Sequence, residues 1–145
     1  MNKVFKPKYY FYNIWNIIEV IIMQIKESAE NYLETILVLK EQLGQVRSID
    51  LANELGFTKP SVSVAMKKLR ENGYIQVDEN GYITLKKAGY EIASQIYDRH
   101  KTITSLLISA GVNAKTASED ACRIEHVISN ESYQCIKNYF AKKES

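Results

Sequence analysis

Three side chains that bind divalent transition metals, Cys122, Glu125 and His126, lie within one five-residue stretch. Thiolate, carboxylate and imidazole groups all coordinate such ions, and on an α-helix the positions i, i+3 and i+4 share one face. The spacing therefore predicts a metal site on a helix. A second interpretation stays open here, because a cysteine on a helix is often a buried apolar residue and a lone glutamate is usually solvated.

The composition bounds the class of protein. The chain has 145 residues, of which 46% are hydrophobic and 25% charged, as in an ordinary globular domain or two small ones that share a core. A net charge of +2 is too small to indicate nucleic-acid binding, so any DNA contact must come from a local patch. Cys122 and Cys135 are too few for a disulfide framework and too far apart on a helix to bridge, which favours a reducing cytoplasm.

Residues 1–22 differ from the rest, since three lysines precede an aromatic and aliphatic run. The run is similar to a signal peptide or membrane anchor, but polar residues interrupt it and it is shorter than the ~20 residues of a spanning helix. No small-residue cleavage site follows, and we expect no membrane partner. Two further alternatives stay open: Met23 is the natural start, or the segment is an extra helix packed on the domain or on a second subunit.

Helical periodicity is clear from just before Ser28. Apolar residues recur about every 3.6 residues over 28–43, which predicts a helix that Ser28 caps and Gly44 ends. A short second helix is predicted between Ser48, as its cap, and Gly56, as its terminator. These signals predict two consecutive helices joined by a short connection between Gly44 and Ser48.

A third helix and a hairpin come next. Thr58 is predicted to cap a helix over 60–72, whose first turn tolerates Pro60. Two alternating apolar runs, 74–77 and 82–85, then flank a glycine-containing loop and predict a β-hairpin. Helices, turn and hairpin in this order predict a winged helix-turn-helix, with a generic three-helix bundle plus hairpin as the alternative.

The polar face of the third helix carries groups suited to DNA. A recognition helix enters the major groove with its N-terminal residues at the base edges. Hydroxyl groups can bond bases or phosphates, a valine can contact a thymine methyl, and basic side chains on phosphates set the register. The DNA-contacting residues predicted in this way are Arg47, Thr58, Lys59, Ser61, Ser63, Val64, Lys67 and Lys68.

Three further helical stretches follow the hairpin. The first spans 86–110 and is ended by Gly111, the second runs from a cap at Asn113 to Ser129, and the third spans 130–142. Three helices of this size bury little alone, so pairing with a second copy is expected, which also suits two-fold symmetric DNA. The side chains predicted to face inward from the last helix are Tyr133, Ile136, Tyr139 and Phe140.

Taken together, these features resemble the diphtheria toxin repressor family, including its shorter manganese-regulator branch. The resemblance covers about residues 27–142 and is strongest in segments 30–36, 59–63 and 119–129. It implies a mainly α fold, an N-terminal winged helix-turn-helix followed by a helical dimerisation domain. Longer members carry an additional SH3-like domain, and the resemblance leads us to expect the shorter, two-domain organisation here. The predicted division is an N-terminal extension (1–26), a DNA-binding domain (27–86) and a metal-binding and dimerisation domain (87–145).

The resemblance also implies a function. Members are homodimers that bind double-stranded operator DNA when loaded with Fe(II) or Mn(II), and repress metal-homeostasis genes; they are not enzymes. An enzyme with Cys122 and His126 as nucleophile and base is also disfavoured by the lack of a Gly-rich oxyanion segment. The alternative is a metal-independent winged-helix regulator that answers to a small molecule or to the redox state of Cys122.

The metal ligands that the resemblance implies are Asn31, Glu34, His100, Cys122, Glu125 and His126. The C-x-x-E-H residues match iron-type members, the first histidine matches both branches, and Glu34 matches the manganese branch. Asn31 departs from the family, which has Met or Asp there; its amide oxygen can coordinate but brings no charge. Thr104 and Ser118 stand where iron-type members have the Glu and His of an ancillary site, so that site is predicted to be lost.

A mechanism follows from these positions. Without metal, Glu34, Glu125 and an ionisable Cys122 would repel one another, and a divalent ion would remove that repulsion. The ion would tie the DNA-reading part to the dimer core and so raise operator affinity, a linkage between two sites. The identity of the metal stays open, because Cys122 favours Fe(II) and Glu34 favours Mn(II).

Overall fold

The computed structural model describes residues 14–143. Over this range the secondary structure is mainly helical, with one two-stranded antiparallel sheet, which confirms the predicted fold class. The elements in chain order are α1 (Ile14–Leu43), α2 (Ser48–Leu55), α3 (Lys59–Glu71), β1 (Ile75–Val77), β2 (Ile83–Leu85), α4 (Lys87–Ser109), α5 (Ala114–Val127) and α6 (Asn130–Lys143).

The first helix is longer than predicted. α1 begins by Ile14, so Ser28 lies inside it and the prediction of a cap at Ser28 was wrong. The physical reason is that the sequence between these two residues holds neither glycine nor proline, so nothing interrupts the helix. Residues 14–22 thus continue α1, while 1–13 lie outside the described residues. Among the described helices, none has both the length and the apolar character needed to cross a bilayer.

The C-terminal half of α1 is the centre of the hydrophobic core. Leu33 and Ile36 are each 1% exposed and belong to a buried cluster whose other members include residues of α2, α3, the hairpin and α4. The other buried members of this cluster are Tyr32, Leu37, Leu39, Val46, Leu51, Ala52, Val62, Met66, Leu69, Ile75, Ile83 and Ala93. Since Ala93 belongs to α4, one core joins the winged region to the C-terminal helices.

The caps around the helix-turn-helix were partly predicted. Gly56 ends α2 with a φ of 66°, and Thr58 Oγ1 accepts the Ser61 N–H at 3.4 Å, which confirms both signals. Ser48, however, is the first residue of α2 and not its cap. Arg47 is the cap residue, because its N–H donates to the Asp50 carboxylate at 2.7 Å and its carbonyl accepts the Asp50 N–H at 3.0 Å.

The hairpin is anchored beside the start of α2. Its two strands pair with Gln76 opposite Thr84, and the Ile83 N–H donates to the Val46 carbonyl at 2.8 Å. The Arg47 guanidinium lies 4.3 Å from the centre of the Tyr82 ring. The wing is therefore held to the helix-turn-helix through the residues that open α2.

α6 packs against α4 along a narrow stripe. Tyr133 is buried, and its hydroxyl donates to an Asp98 carboxylate oxygen at 2.5 Å, which Lys137 also contacts at 2.5 Å. Tyr139, predicted to face inward, is 60% exposed, so that prediction was wrong for a single chain. The reason is geometric: a helix that packs on one neighbour buries only one stripe, and Tyr139 lies outside it.

Candidate metal centre

Three helices converge on a cluster of potential metal ligands. Glu34 of α1, His100 of α4 and Glu125 of α5 each offer a ligand atom, and these atoms all lie within 4.8 Å of one another. Glu125 is fully buried and Glu34 is 8% exposed. Two carboxylates and one imidazole, shielded from water and close enough to share an ion, form the candidate centre.

Small residues on α5 bring Glu125 to this position. Ala117 and Ala121 are fully buried and precede Glu125 at four-residue intervals, so all three share one stripe of the helix. Their short side chains let α5 lie close to α4, and the next residue of the stripe is then forced into the interior. A glutamate at a core position of an otherwise small apolar stripe is a local signal for a functional carboxylate.

His100 has a partner at each ring nitrogen. Its Nδ1 lies 2.7 Å from Glu125 Oε2, and its Nε2 lies 3.3 Å from Ser118 Oγ. Ser118 is one of the two residues at which the ancillary site was predicted to be lost, and its hydroxyl lies within hydrogen-bond distance of the His100 ring. The nearby Thr104 hydroxyl is buried and has no hydrogen-bond partner among the described residues.

His126 lies beside the cluster, between two carboxylates. Its Nδ1 is 3.0 Å from Glu30 Oε2, and its Nε2 is 3.4 Å from Glu125 Oε1. The second approach has the distance of an ion pair but not the direction of a hydrogen bond, so Glu125 Oε1 has no hydrogen-bond partner within residues 14–143. A buried carboxylate oxygen without a partner is the kind of group that a bound cation satisfies.

Arg99 closes the end of α5 next to these ligands. Its guanidinium donates to the carbonyls of Glu125 at 3.1 Å and Ile128 at 3.2 Å. These bonds satisfy carbonyls that the helix end would otherwise leave open, and they place a positive charge at the negative end of the helix dipole. Arg99 thereby holds in place the turn of α5 that carries Glu125 and His126.

Burial, hydrogen bonds and neighbouring charges shift the pKa values of the acids and bases in the cluster. Burial, together with the charge and hydrogen bond of Glu125, raises the pKa of Glu34 to about 7. Burial lowers the pKa of His126, but hydrogen bonds to Cys122 and Glu30 and the charge of Glu125 outweigh it and raise that pKa to about 10. The hydrogen bond to Glu125 raises the pKa of His100 as well. The metal-free site therefore holds protons that a divalent ion would displace.

Replacing Glu34 with glutamine should stabilise the metal-free protein at high pH. Folded Glu34 keeps its proton up to a pH of about 7, whereas in the unfolded chain it loses the proton near the ordinary pKa of 4.5. Ionisation of Glu34 therefore has no effect on stability below pH 4.5 and destabilises the folded protein increasingly as the pH rises to about 7. Wild type and variant should unfold at similar temperatures at pH 5, whereas at pH 8 the variant should be more stable by roughly 5 °C. Thermal unfolding followed by circular dichroism measures this difference.

The control for this experiment is Glu41→Gln, which removes an exposed carboxylate from the same helix. It should leave the unfolding temperature unchanged at both pH values. Mn(II) should stabilise wild type and the Glu41 variant but not Glu34→Gln. A Glu34 variant with the wild-type pH dependence would contradict the raised pKa.

Cys122 and Asn31 are the two remaining predicted ligands. Cys122 is exposed, one turn before His126, whose ring it contacts, and it is outside the group formed by Glu34, His100 and Glu125. Asn31 is half-buried, and its backbone carbonyl accepts a hydrogen bond from the Thr35 hydroxyl at 2.8 Å. Glu30 is a further carboxylate at the cluster that was not among the predicted ligands, although its spacing of four from Glu34 places both on one face of α1.

The predicted DNA-contacting residues are all exposed, and all but Arg47 lie on α3 or at its N-terminal cap. Val64 is 55% exposed on α3, and the hydroxyls of Thr58 and Ser61 bond each other at 2.9 Å. A groove of about 340 Å³ separates α3 from the wing, and Arg70, which the prediction omitted, lines it together with Ser63. The other predicted residues, all exposed, are Arg47, Lys59, Lys67 and Lys68, of which Lys68 lines a different groove, between α3 and α1.

Comparison with known proteins agrees with both halves of this description. Residues 24–89 match the family described as iron dependent repressor, N-terminal DNA binding domain. Residues 86–144 match the iron dependent repressor metal binding and dimerisation domain. Fold and site thus define a winged-helix DNA-binding protein with a metal-binding dimerisation domain.

Individual relatives show which family of regulators the chain belongs to. It is 38% identical over 120 residues to an uncharacterised HTH-type transcriptional regulator of Methanocaldococcus jannaschii, covering 81% of this chain and 96% of the relative. The transcriptional regulator MntR of Escherichia coli is 28% identical over 117 residues, covering 81% of this chain and 76% of that protein. The chain belongs to the diphtheria toxin repressor and manganese regulator family of metal-dependent transcriptional repressors, whose members are regulators and not enzymes.

Solved structures share this fold. The manganese regulator SloR superposes with a TM-score of 0.70 at 25% identity, over 78% of this chain and 53% of SloR. IdeR of T. acidophilum gives a TM-score of 0.69 at 25% identity, over 77% and 53%. The chain thus spans about half the length of the solved proteins that it matches.

Proposed function

We propose that this protein is a homodimeric, cytoplasmic repressor that binds operator DNA when Fe(II) or Mn(II) occupies the centre formed by Glu34, His100 and Glu125. The observation that carries the proposal is the origin of these ligands in three different helices. α1 supplies the core of the winged domain, whereas α4 and α5 belong to the region that matches the dimerisation domain. An ion held between them would set the position of the DNA reader relative to the dimer.

The donor set fits such an ion. Carboxylate and imidazole donors suit Mn(II) and Fe(II), and Glu125 Oε1 has no hydrogen-bond partner among the described residues. We propose that His126 completes the set through its Nε2, and that Cys122 and Asn31 are outer candidates. When bound, the ion supplies positive charge that cancels the repulsion between Glu34 and Glu125. The residues themselves then hold α1 against α5.

For DNA, we propose a division of labour on the exposed face of α3. Ser63 and Val64 face the groove beside the wing and would contact base edges, while Lys67 and Lys68 would contact phosphates. Thr58 serves chiefly as the helix cap, because its hydroxyl is engaged with Ser61. A dimer would present two such helices to half-sites about 34 Å apart.

The test is DNA binding by the purified full chain under anaerobic conditions, with Mn(II), with Fe(II) and with a chelator. The probe is a double-stranded oligonucleotide pool enriched for binding in the presence of Mn(II). Removing the metal should weaken binding by roughly 5- to 150-fold, the usual range of coupling between two sites. Equal affinity with and without chelator would reject metal dependence and favour the metal-independent regulator.

A variant of the DNA surface separates the two activities. Lys67→Ala combined with Lys68→Ala should bind Mn(II) as wild type does, since both lysines are exposed on α3, which supplies none of the proposed ligands. Its DNA affinity should fall, and the slope of log affinity against log salt should be smaller by roughly 2. An unchanged salt slope would remove these lysines from the DNA interface.

A further inference from the structure

A carboxylate outside the predicted ligand set links α1 to α5 directly. Glu30 Oε2 lies 3.0 Å from Nδ1 of His126, whose side chain is only 3% exposed. The other Glu30 oxygen lies 3.7 Å from the Lys26 ammonium group, one turn earlier on α1. The Glu30 side chain is itself 12% exposed, so this contact is largely shielded from water.

We infer that Glu30 is a positioning residue of the metal centre: it accepts the Nδ1–H of His126 and thereby presents Nε2 as the nitrogen that binds the ion. This inference rests on the proposed metal-sensing function. A neutral imidazole carries one proton, and the hydrogen bond made by one nitrogen decides which nitrogen is free to bind metal. A glutamate carboxylate only accepts, so it selects the tautomer with the proton on Nδ1.

The surroundings of the ring support this direction. Nε2 of His126 faces Glu125 Oε1 at 3.4 Å, the oxygen that has no hydrogen-bond partner among residues 14–143. The ring is too buried for water to replace Glu30 as the acceptor. His100 has the opposite orientation, since its Nδ1 faces Glu125 and its Nε2 faces Ser118. The two histidines would thus offer different nitrogens to the same ion.

Glu30 also changes the charge balance of the site. Asn31, the neighbouring residue, is a neutral amide, so α1 would offer the ion only one negative ligand, Glu34. A carboxylate bonded to a ligating histidine makes that imidazole a better donor without binding the metal itself. Glu30 and Glu34 are one turn apart on α1 and contact adjacent residues of α5. Glu30 contacts His126, and Glu34 contacts Glu125. The same helix face therefore supplies a ligand and the support for another ligand.

The test compares Glu30→Ala and Glu30→Gln with the control Glu27→Gln, which removes an exposed carboxylate from the same helix. Mn(II) affinity is measured by titration calorimetry, and the imidazole tautomer of His126 by ¹⁵N NMR of the Zn(II)-loaded protein, which is diamagnetic. Wild type should carry its proton on Nδ1 of His126. Glu30→Ala should bind Mn(II) about 10- to 100-fold more weakly. Glu30→Gln should lose less, because its amide oxygen still accepts, and Glu27→Gln should match wild type.

Two results would overturn the role of Glu30: Mn(II) affinity within twofold of wild type in both Glu30 variants, or a proton on Nε2 of His126 in the loaded wild type. If Glu30→Ala does not fold without metal, Glu30→Gln and the NMR measurement on wild type still decide. Failure of the proposed function is a different outcome, because wild type and Glu27→Gln would then bind no Mn(II) at all.

Discussion

Replacing Glu125 with glutamine should lower Mn(II) affinity at least about 100-fold and abolish metal-activated DNA binding, since even partners outside the ligand shell account for 10- to 100-fold. Glu125 is fully buried, and its two oxygens face His100 and His126. The amide has the same shape but no charge, and its nitrogen would point a donor where an ion or a histidine N–H should lie. The effect on metal should therefore be large while the fold is retained.

The metal-free Glu125→Gln protein should keep its fold, because glutamine has the shape of glutamate and removes the charge that repels Glu34. It also loses the carboxylate that faces His100 and His126, so its thermal unfolding midpoint should be lower than that of wild type. Calorimetric titration with Mn(II), DNA binding and thermal unfolding are measured together. Glu119→Gln, an exposed change two turns earlier on α5, is the control and should behave as wild type. A Glu125 variant that still responds fully to metal would show that the ligand assignment is wrong.

Replacing Gly89 with alanine should destabilise the protein by about 3 kcal/mol, the upper end of the usual cost of overpacking. Gly89 lies in the first turn of α4, buried against the backbone of Tyr74. An added Cβ would overlap the Tyr74 carbonyl oxygen and lie 3.0 Å from its carbon and 3.4 Å from Leu33 Cδ2. The carbonyl cannot move away, because it also accepts the Lys86 N–H at 2.9 Å.

Thermal unfolding of the metal-free Gly89→Ala protein should show a midpoint lower by roughly 10 °C. Lys87→Ala, an exposed change in the same turn, is the matched control and should stay within about 0.5 kcal/mol of wild type. Because α4 carries His100, loosening its first turn should also weaken Mn(II) binding. A midpoint equal to that of wild type would mean that α4 can shift away from the hairpin at little cost.

Local signals were sufficient for most of the elements. Gly56 ends α2, while Thr58 and Asn113 cap α3 and α5, as predicted. Each of these signals acts within four residues along the chain, so the sequence contains the whole interaction. The two predicted caps that were wrong have separate reasons. Arg47 is the cap of α2 because its N–H bonds to the Asp50 carboxylate, so Ser48 begins the helix. α1 continues through Ser28 because no helix-breaking residue precedes it within the helix.

The sequence alone determined the class of the protein and the helix face that carries the triad Cys122, Glu125 and His126. It did not determine which members converge, because that depends on how α5 is rotated against α1 and α4. Ala117 and Ala121 turn Glu125 to the interior, which leaves Cys122 exposed at the edge. The contact between Glu30 and His126 joins residues 96 positions apart, so only the packing of whole helices could bring them together. The residue types therefore made metal chemistry predictable, and tertiary packing decided which of them form the centre.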